Sequence, residues 1–114
     1  MDLTTQQEDG IAVVAVTGEI DASSVPELRS LLDELLGDGQ RNFVIDLAAV
    51  PFMDSSGLAT LVQLFKRVRI GEGDVRLCGL QPKVQRVFEL IRLDRVFDSF
   101  PDRADAVASY SRSG

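Results

Sequence analysis

Apolar and polar positions change their spacing several times along the chain, and each change marks an element. A first extended run, Leu3 to Gln7, is followed by Glu8-Asp9-Gly10 and the β-branched run Ile11 to Val16. Asp-Gly between two such runs predicts a hairpin. The second strand should stop at Gly18. Ser24-Val25-Pro26-Glu27 then reads as a helix start, with Ser as cap, Pro in the first turn and Glu three residues on. Val25, Leu28, Leu32, Leu35 and Leu36 keep helical spacing up to Gly37-Asp38-Gly39. Phe43-Val44-Ile45-Asp46-Leu47 is a nearly continuous apolar run, the pattern of an interior strand.

After Pro51-Phe52-Met53 comes Asp54-Ser55-Ser56-Gly57, and then a second helical pattern at Leu58, Leu61, Val62, Phe65 and Val68. Leu64 falls off that stripe and is expected to be exposed. Gly71 to Asp74 predicts a turn and Val75 to Cys78 a fourth strand. A third helix is expected over Pro82 to Ile91 with Val84, Val87, Phe88 and Ile91 inward. An edge strand over Val96 to Phe100, a last helix over Asp102 to Tyr110 and a frayed tail at residues 111–114 complete the reading. The order β-β-α-β-α-β-α-β-α predicts an α/β fold. Its mixed sheet has four to five strands, an antiparallel hairpin followed by parallel crossovers, with about four helices mainly on one face. Which face stays open does not follow from the strand patterns. A chain of 114 residues with no linker or repeat is expected to form one domain, 1–114.

Composition removes most catalytic chemistry. With no histidine there is no Ser-His-Asp triad and no His₂-carboxylate metal centre, and one cysteine, Cys78, allows neither an internal disulfide nor a Cys-only zinc site. No metal site and no cofactor are expected. Cys78, within a strand, reads as a small core hydrophobe. The net charge of −6 is uneven. Residues 1–60 hold 11 acidic and 2 basic side chains, residues 61–114 hold 7 and 10. Such acidity argues against nucleic-acid binding through phosphate neutralisation. No apolar stretch approaches the ~20 residues of a membrane span, and Met1-Asp2-Leu3-Thr4 lacks the basic start of a signal peptide. The chain is expected to be cytoplasmic.

The segment Asp54-Ser55-Ser56-Gly57 carries the chemistry that remains. It lies where a strand has ended and a helix begins, so its backbone N–H groups have no helical partner and the dipole adds positive potential. Asp or Ser there is explained by capping alone. Four small or polar residues in series exceed what one cap needs, however, and such a terminus accommodates a phosphate. An enzyme using Ser55 or Asp54 as nucleophile is the weaker alternative. Met53-Asp54-Ser55-Ser56-Gly57 fails the Gly-x-Ser-x-Gly elbow at its first position, and the only lysines are Lys66 and Lys83.

Phe52-Met53-Asp54-Ser55-Ser56-Gly57-Leu58 resembles the signature of STAS domains, in particular the stand-alone anti-sigma factor antagonists. Gly18-Glu19-Ile20-Asp21 resembles the family's G-E-[IL]-D turn, and Val44-Ile45-Asp46-Leu47 its central strand. The three motifs span about residues 10–90. The resemblance implies the STAS fold, and Ser55, directly after the Asp, as phosphoacceptor. It implies as partners an anti-sigma factor of the histidine-kinase-like ATPase fold, which is the serine kinase and brings the ATP, and a serine phosphatase that resets the switch. Asp21, Asp54, Ser56, Gly57 and Leu58 are the expected partner-binding residues. Asp21 is open to a second reading as part of the cap of the first helix. Asp46 reads as a structural hydrogen-bonding group. The basic run Lys66, Arg67, Arg69 reads as a solvated helix end or a partner contact. A STAS subunit of another assembly, such as a stress-signalling complex or a lipid transporter, would share all of these motifs.

Overall fold

The computed structural model describes residues 1–111. The elements run β1 (Asp2–Glu8), β2 (Ile11–Thr17), α1 (Val25–Gly37), β3 (Asn42–Ala49), α2 (Ser55–Ile70), β4 (Asp74–Cys78), α3 (Pro82–Leu90), a 3-10 turn (Leu93–Arg95), β5 (Asp98–Phe100) and α4 (Arg103–Ser111). The strands form one sheet in the order β1-β2-β3-β4-β5. β1 and β2 are antiparallel, with Glu8 paired to Ile11 across the turn. Asp9 and Gly10 both have positive φ, 54° and 79°, the requirement that selects Asp-Gly for this hairpin. All other pairings are parallel. The expected mixed α/β sheet is therefore observed, with five strands. Beyond Ser111, the expected frayed tail lies outside the described residues.

Alternation along the strands divides the core in two. Val14, Val16, Phe43, Ile45, Leu47, Val75 and Leu77 face α1, α2 and α3. Among the described residues, Ile11, Val13, Val44 and Cys78 face α4, through Ala106 and Val107. Three helices on one face and a short one on the other agree with the expectation of coverage mainly on one side.

The face under α4 also holds a polar cluster centred on Arg76. Arg76 is buried there, its Nε 3.3 Å from Asp74 Oδ2 and its Nη1 donating to Ser109 Oγ at 2.7 Å. Its guanidinium carbon lies 4.0 Å from the Tyr110 ring centroid, and the Tyr110 hydroxyl lies 2.7 Å from the Phe43 carbonyl. Arg103 pairs with Asp46 at 2.9 Å, which gives Asp46 the structural role expected of it and ties α4 to β3.

Cys78 is wholly buried, as expected of a small core side chain. Burial, reinforced by the Asp46 carboxylate, pushes its thiol up to about 12. A thiol reagent at about pH 8 is expected to label the native protein far more slowly than the urea-unfolded chain. Equal labelling rates would show that the site opens readily.

Two packing expectations are corrected. Leu64 is 2% exposed, not a surface residue. α2 packs against α1 as well as the sheet, and its buried stripe is Gly57, Leu61, Leu64 and Val68, while Val62 and Phe65 are half-buried. Ile91 is 51% exposed. The third helix ends at Leu90, so Ile91 no longer follows the inward face. Phe97 fills the space instead, edge-on to Phe65 and Phe88 at centroid distances of 5.4 and 6.1 Å.

Candidate functional site: the junction of two loops

β2 and β3 are adjacent and parallel, so the loops that leave their C-terminal ends emerge side by side. Their contact is more intimate than adjacency requires. Ile20 and Met53 form an isolated parallel bridge, with Ile20 N–H donating to the Phe52 carbonyl at 3.0 Å and Asp54 N–H to the Ile20 carbonyl at 3.1 Å. The two motifs, 35 residues apart at Asp21 and Ser56, thus form one hydrogen-bonded platform.

Asp54 holds that platform together. As N-cap of α2 it takes extended backbone angles, φ −94° and ψ −175°. Its Oδ1 accepts from Ser56 N–H at 2.9 Å, Gly57 N–H at 3.1 Å and Ser56 Oγ at 2.6 Å. Its Oδ2 reaches the other loop and accepts from Ala22 N–H at 3.1 Å. One carboxylate therefore satisfies the helix start and staples the neighbouring loop. Asp21 plays a local version of this role, its Oδ1 accepting from Ser23 N–H, Ser23 Oγ and Ser24 N–H at 2.7–3.1 Å. Ser24, expected to cap α1 with its side chain, instead donates to the Glu19 carbonyl at 2.9 Å and makes no cap bond.

The donors lower both acids. The Ser56 hydroxyl, then the Gly57 amide, holds Asp54 below the usual carboxylate range, and the Ser23 hydroxyl does the same for Asp21. A depressed folded-state value contributes stability above the unfolded value and loses it as pH falls through the folded one. Asp54→Ala is expected to lower the melting temperature at neutral pH. The gap from the parent should close as pH falls from about 5 to about 2. A gap that stays constant to the acid end would show that the charge of Asp54 contributes nothing.

The adjacent serines differ in kind. Ser56 is half-buried with its hydroxyl committed to Asp54. Ser55, the first residue of α2, is exposed, and among the described residues its hydroxyl makes no hydrogen bond. Gly57 and Leu58, expected on the partner surface, are corrected: both are buried. A Cβ on Gly57 would lie 2.7 Å from Met53 Cγ and 2.8 Å from Ile20 Cγ2, so glycine lets α2 begin directly against the bridge. The periodicity was legible, because Gly57, Leu61, Leu64 and Val68 fall at i, i+4, i+7 and i+11. Asp21, Asp54 and Ser56 remain at the junction, half-buried, with exposed Glu19 beside them.

Tertiary packing sets cations against the elements that flank the switch, though not against Ser55 itself. No Arg or Lys lies within ten residues of Ser55 along the chain. Arg29 of α1 nevertheless reaches Thr60 Oγ1 at 3.4 Å, and Lys83 of α3 faces the loop 51–53. Phe52 is 50% exposed on that loop, whereas Met53 beside it is buried in the core. Among the described residues no group of Cys, Asp or Glu is arranged to hold a metal ion, and no helix is long and apolar enough to cross a membrane.

Comparison with known proteins agrees with the motifs. The STAS domain family model matches residues 2–106. An anti-sigma-B factor antagonist of Staphylococcus aureus is 31% identical over 93 residues, covering 82% of this chain and 86% of that protein. A crystal structure of an anti-sigma factor antagonist from Mycobacterium paratuberculosis superposes with a TM-score of 0.87 at 30% identity, covering 95% of this chain and 92% of that one. The phosphorylated Bacillus cell fate determinant SpoIIAA shares the fold at a TM-score of 0.76 and 18% identity, over 96% of this chain and 99% of that one. By motif, fold and sequence together, this chain belongs to the STAS domain family, beside the anti-sigma factor antagonists.

Proposed function

We propose that the chain is an anti-sigma factor antagonist switched by phosphorylation at Ser55. In its unphosphorylated form it binds an anti-sigma factor and so frees a sigma factor. That partner is itself a serine kinase of the histidine-kinase-like ATPase fold. ATP reaches the reaction only through it, and a serine phosphatase restores the starting state. The chain has no catalysis of its own, acts in the cytoplasm and touches neither nucleic acid nor membrane.

The observation that carries this reading is the contrast between Ser55 and Ser56. A phosphoacceptor hydroxyl must enter a kinase active site and release its proton to a base there. Ser55 is exposed and uncommitted, whereas Ser56 already donates to Asp54. The names of the relatives support the partner class. That SpoIIAA has been solved in phosphorylated form supports a fold that carries the modification. The acidic junction of Glu19, Asp21 and Asp54 supports a basic partner surface, and binding is expected to weaken with salt.

The test is incubation with the cognate ATPase-fold kinase and ATP, followed by mass spectrometry. One phosphate should appear and map to Ser55, and Ser55→Ala should remain unmodified. Undiminished modification of that variant, or a phosphate on Ser56, would overturn the assignment.

A further inference from the structure

We propose that the groove between the β3–α2 loop and α3 receives an apolar side chain of the anti-sigma partner, set beside a partner carboxylate that pairs with Lys83. The proposal rests on the antagonist reading above and names a second contact region on the same partner. The groove encloses about 220 Å³ between Pro51, Phe52 and Met53 on one wall and Lys83, Val84 and Val87 on the other. That exceeds the ~150 Å³ of a cavity able to hold benzene, so one large aliphatic or aromatic side chain fits. Met53 and Val84 are buried, while Phe52 leaves half its surface to solvent.

Three observations choose the occupant. The first is continuity. The Phe52 carbonyl accepts from Ile20, Asp54 caps α2, and Ser55 follows, so one wall of the groove and the switch belong to a single hydrogen-bonded segment. The second is charge. Lys83 is exposed, and among the described residues no carboxylate pairs with it. It also stands in the first turn of α3, where the helix dipole disfavours a cation and where no acidic residue compensates. The third is contrast. The loop junction carries the acids Asp21 and Asp54, whereas the groove on the far side of the 51–53 segment carries apolar side chains and Lys83. A complementary partner is basic against the first and apolar with a carboxylate against the second. A second copy paired through its own groove would bring two Lys83 cations into one interface.

The experiment uses the full chain and the ATPase-fold kinase that modifies the parent on Ser55. Calorimetry should give Phe52→Ala and Lys83→Glu dissociation constants at least about tenfold weaker, with Lys83→Arg within about threefold. Both altered side chains are exposed, and melting temperatures should stay close to the parent's. Amide exchange in the complex should slow at residues 83–87 as well as at the switch. If both variants bind within about twofold of the parent, or protection stops at the two loops, the groove proposal is overturned while phosphorylation of Ser55 still supports the antagonist reading. If no ATPase-fold kinase binds or modifies the parent, both fall. Concentration-dependent dimerisation abolished by Phe52→Ala would assign the groove to a second copy and overturn the proposal.

Discussion

Ser55→Glu should weaken binding to the anti-sigma partner by roughly 100- to 1000-fold while leaving the fold intact. The hydroxyl is exposed at the first position of α2, and the groups around it are already committed. Asp54 has both oxygens occupied, Ser56 donates to Asp54, and Arg29 is turned toward Thr60. An interface whose basic groups already match Glu19, Asp21 and Asp54, and which closes over a neutral serine, would then bury an added charge with no counter-ion of its own. Stranding a charge in this way costs about 3–4 kcal/mol, which converts to the stated loss of affinity. In the free protein the same charge stays in water at a helix N-terminus, where the dipole favours it and offsets the nearby Asp54 carboxylate. The melting temperature should therefore move by no more than about 3 °C. Calorimetric titration and a thermal melt check the two halves separately. Affinity within about tenfold of the parent would show that Ser55 lies outside the interface, and a large drop in melting temperature would replace local repulsion by unfolding as the cause.

Phe97→Ala should have the opposite profile, a severe loss of stability with no charge change at the switch. Phe97 is 2% exposed and meets Phe65 of α2 and Phe88 of α3 edge-on, at interplanar angles of 70° and 66°. Truncating a buried Phe costs about 3–5 kcal/mol through lost transfer energy and the cavity left behind. Each lost edge-on pair is part of that total. For a domain of this size the melting temperature should fall by roughly 10–20 °C. Val96→Ala is the matched control, because Val96 is 39% exposed. A drop below about 1 kcal/mol for Phe97→Ala in urea titration would mean that α2 and α3 do not depend on this contact.

Phe97 also marks where sequence reading reaches its limit. Val96 to Phe100 reads as an edge strand, and a strand pattern cannot say that one of its aromatics leaves the sheet line to join two helices. The strand itself covers only Asp98–Phe100. Helical spacing carried one residue past Leu90 points Ile91 inward, but the helix ends before it. A stripe centred on Val62 and Phe65 leaves Leu64 outward, as it would if α2 met a single flat surface. It meets α1 as well, and the buried arc widens toward that side. Gly57 looked like an opening for a partner, yet its missing side chain is filled by Met53 and Ile20.

Local chemistry determined much of this protein directly. The Asp9-Gly10 turn, the strand-forming run at Phe43 to Leu47 and the Asp54 cap all depend on residues a few positions apart, and for those the chain is its own environment. The exclusions were equally local, since a chain without histidine lacks those chemistries however it folds. Tertiary structure decided what depends on packing from afar. It settled which face of α2 is buried and that, among the described residues, α4 is the helix that covers the second sheet face, with its Tyr110 ring against Arg76. It brought Lys83 to the loop at 51–53. It also made two loops into one platform, because Asp54 Oδ2 can meet Ala22 N–H only once β2 and β3 lie side by side. Hydrogen bonds between residues so distant in sequence follow from strand order and register, which a linear pattern constrains but does not specify.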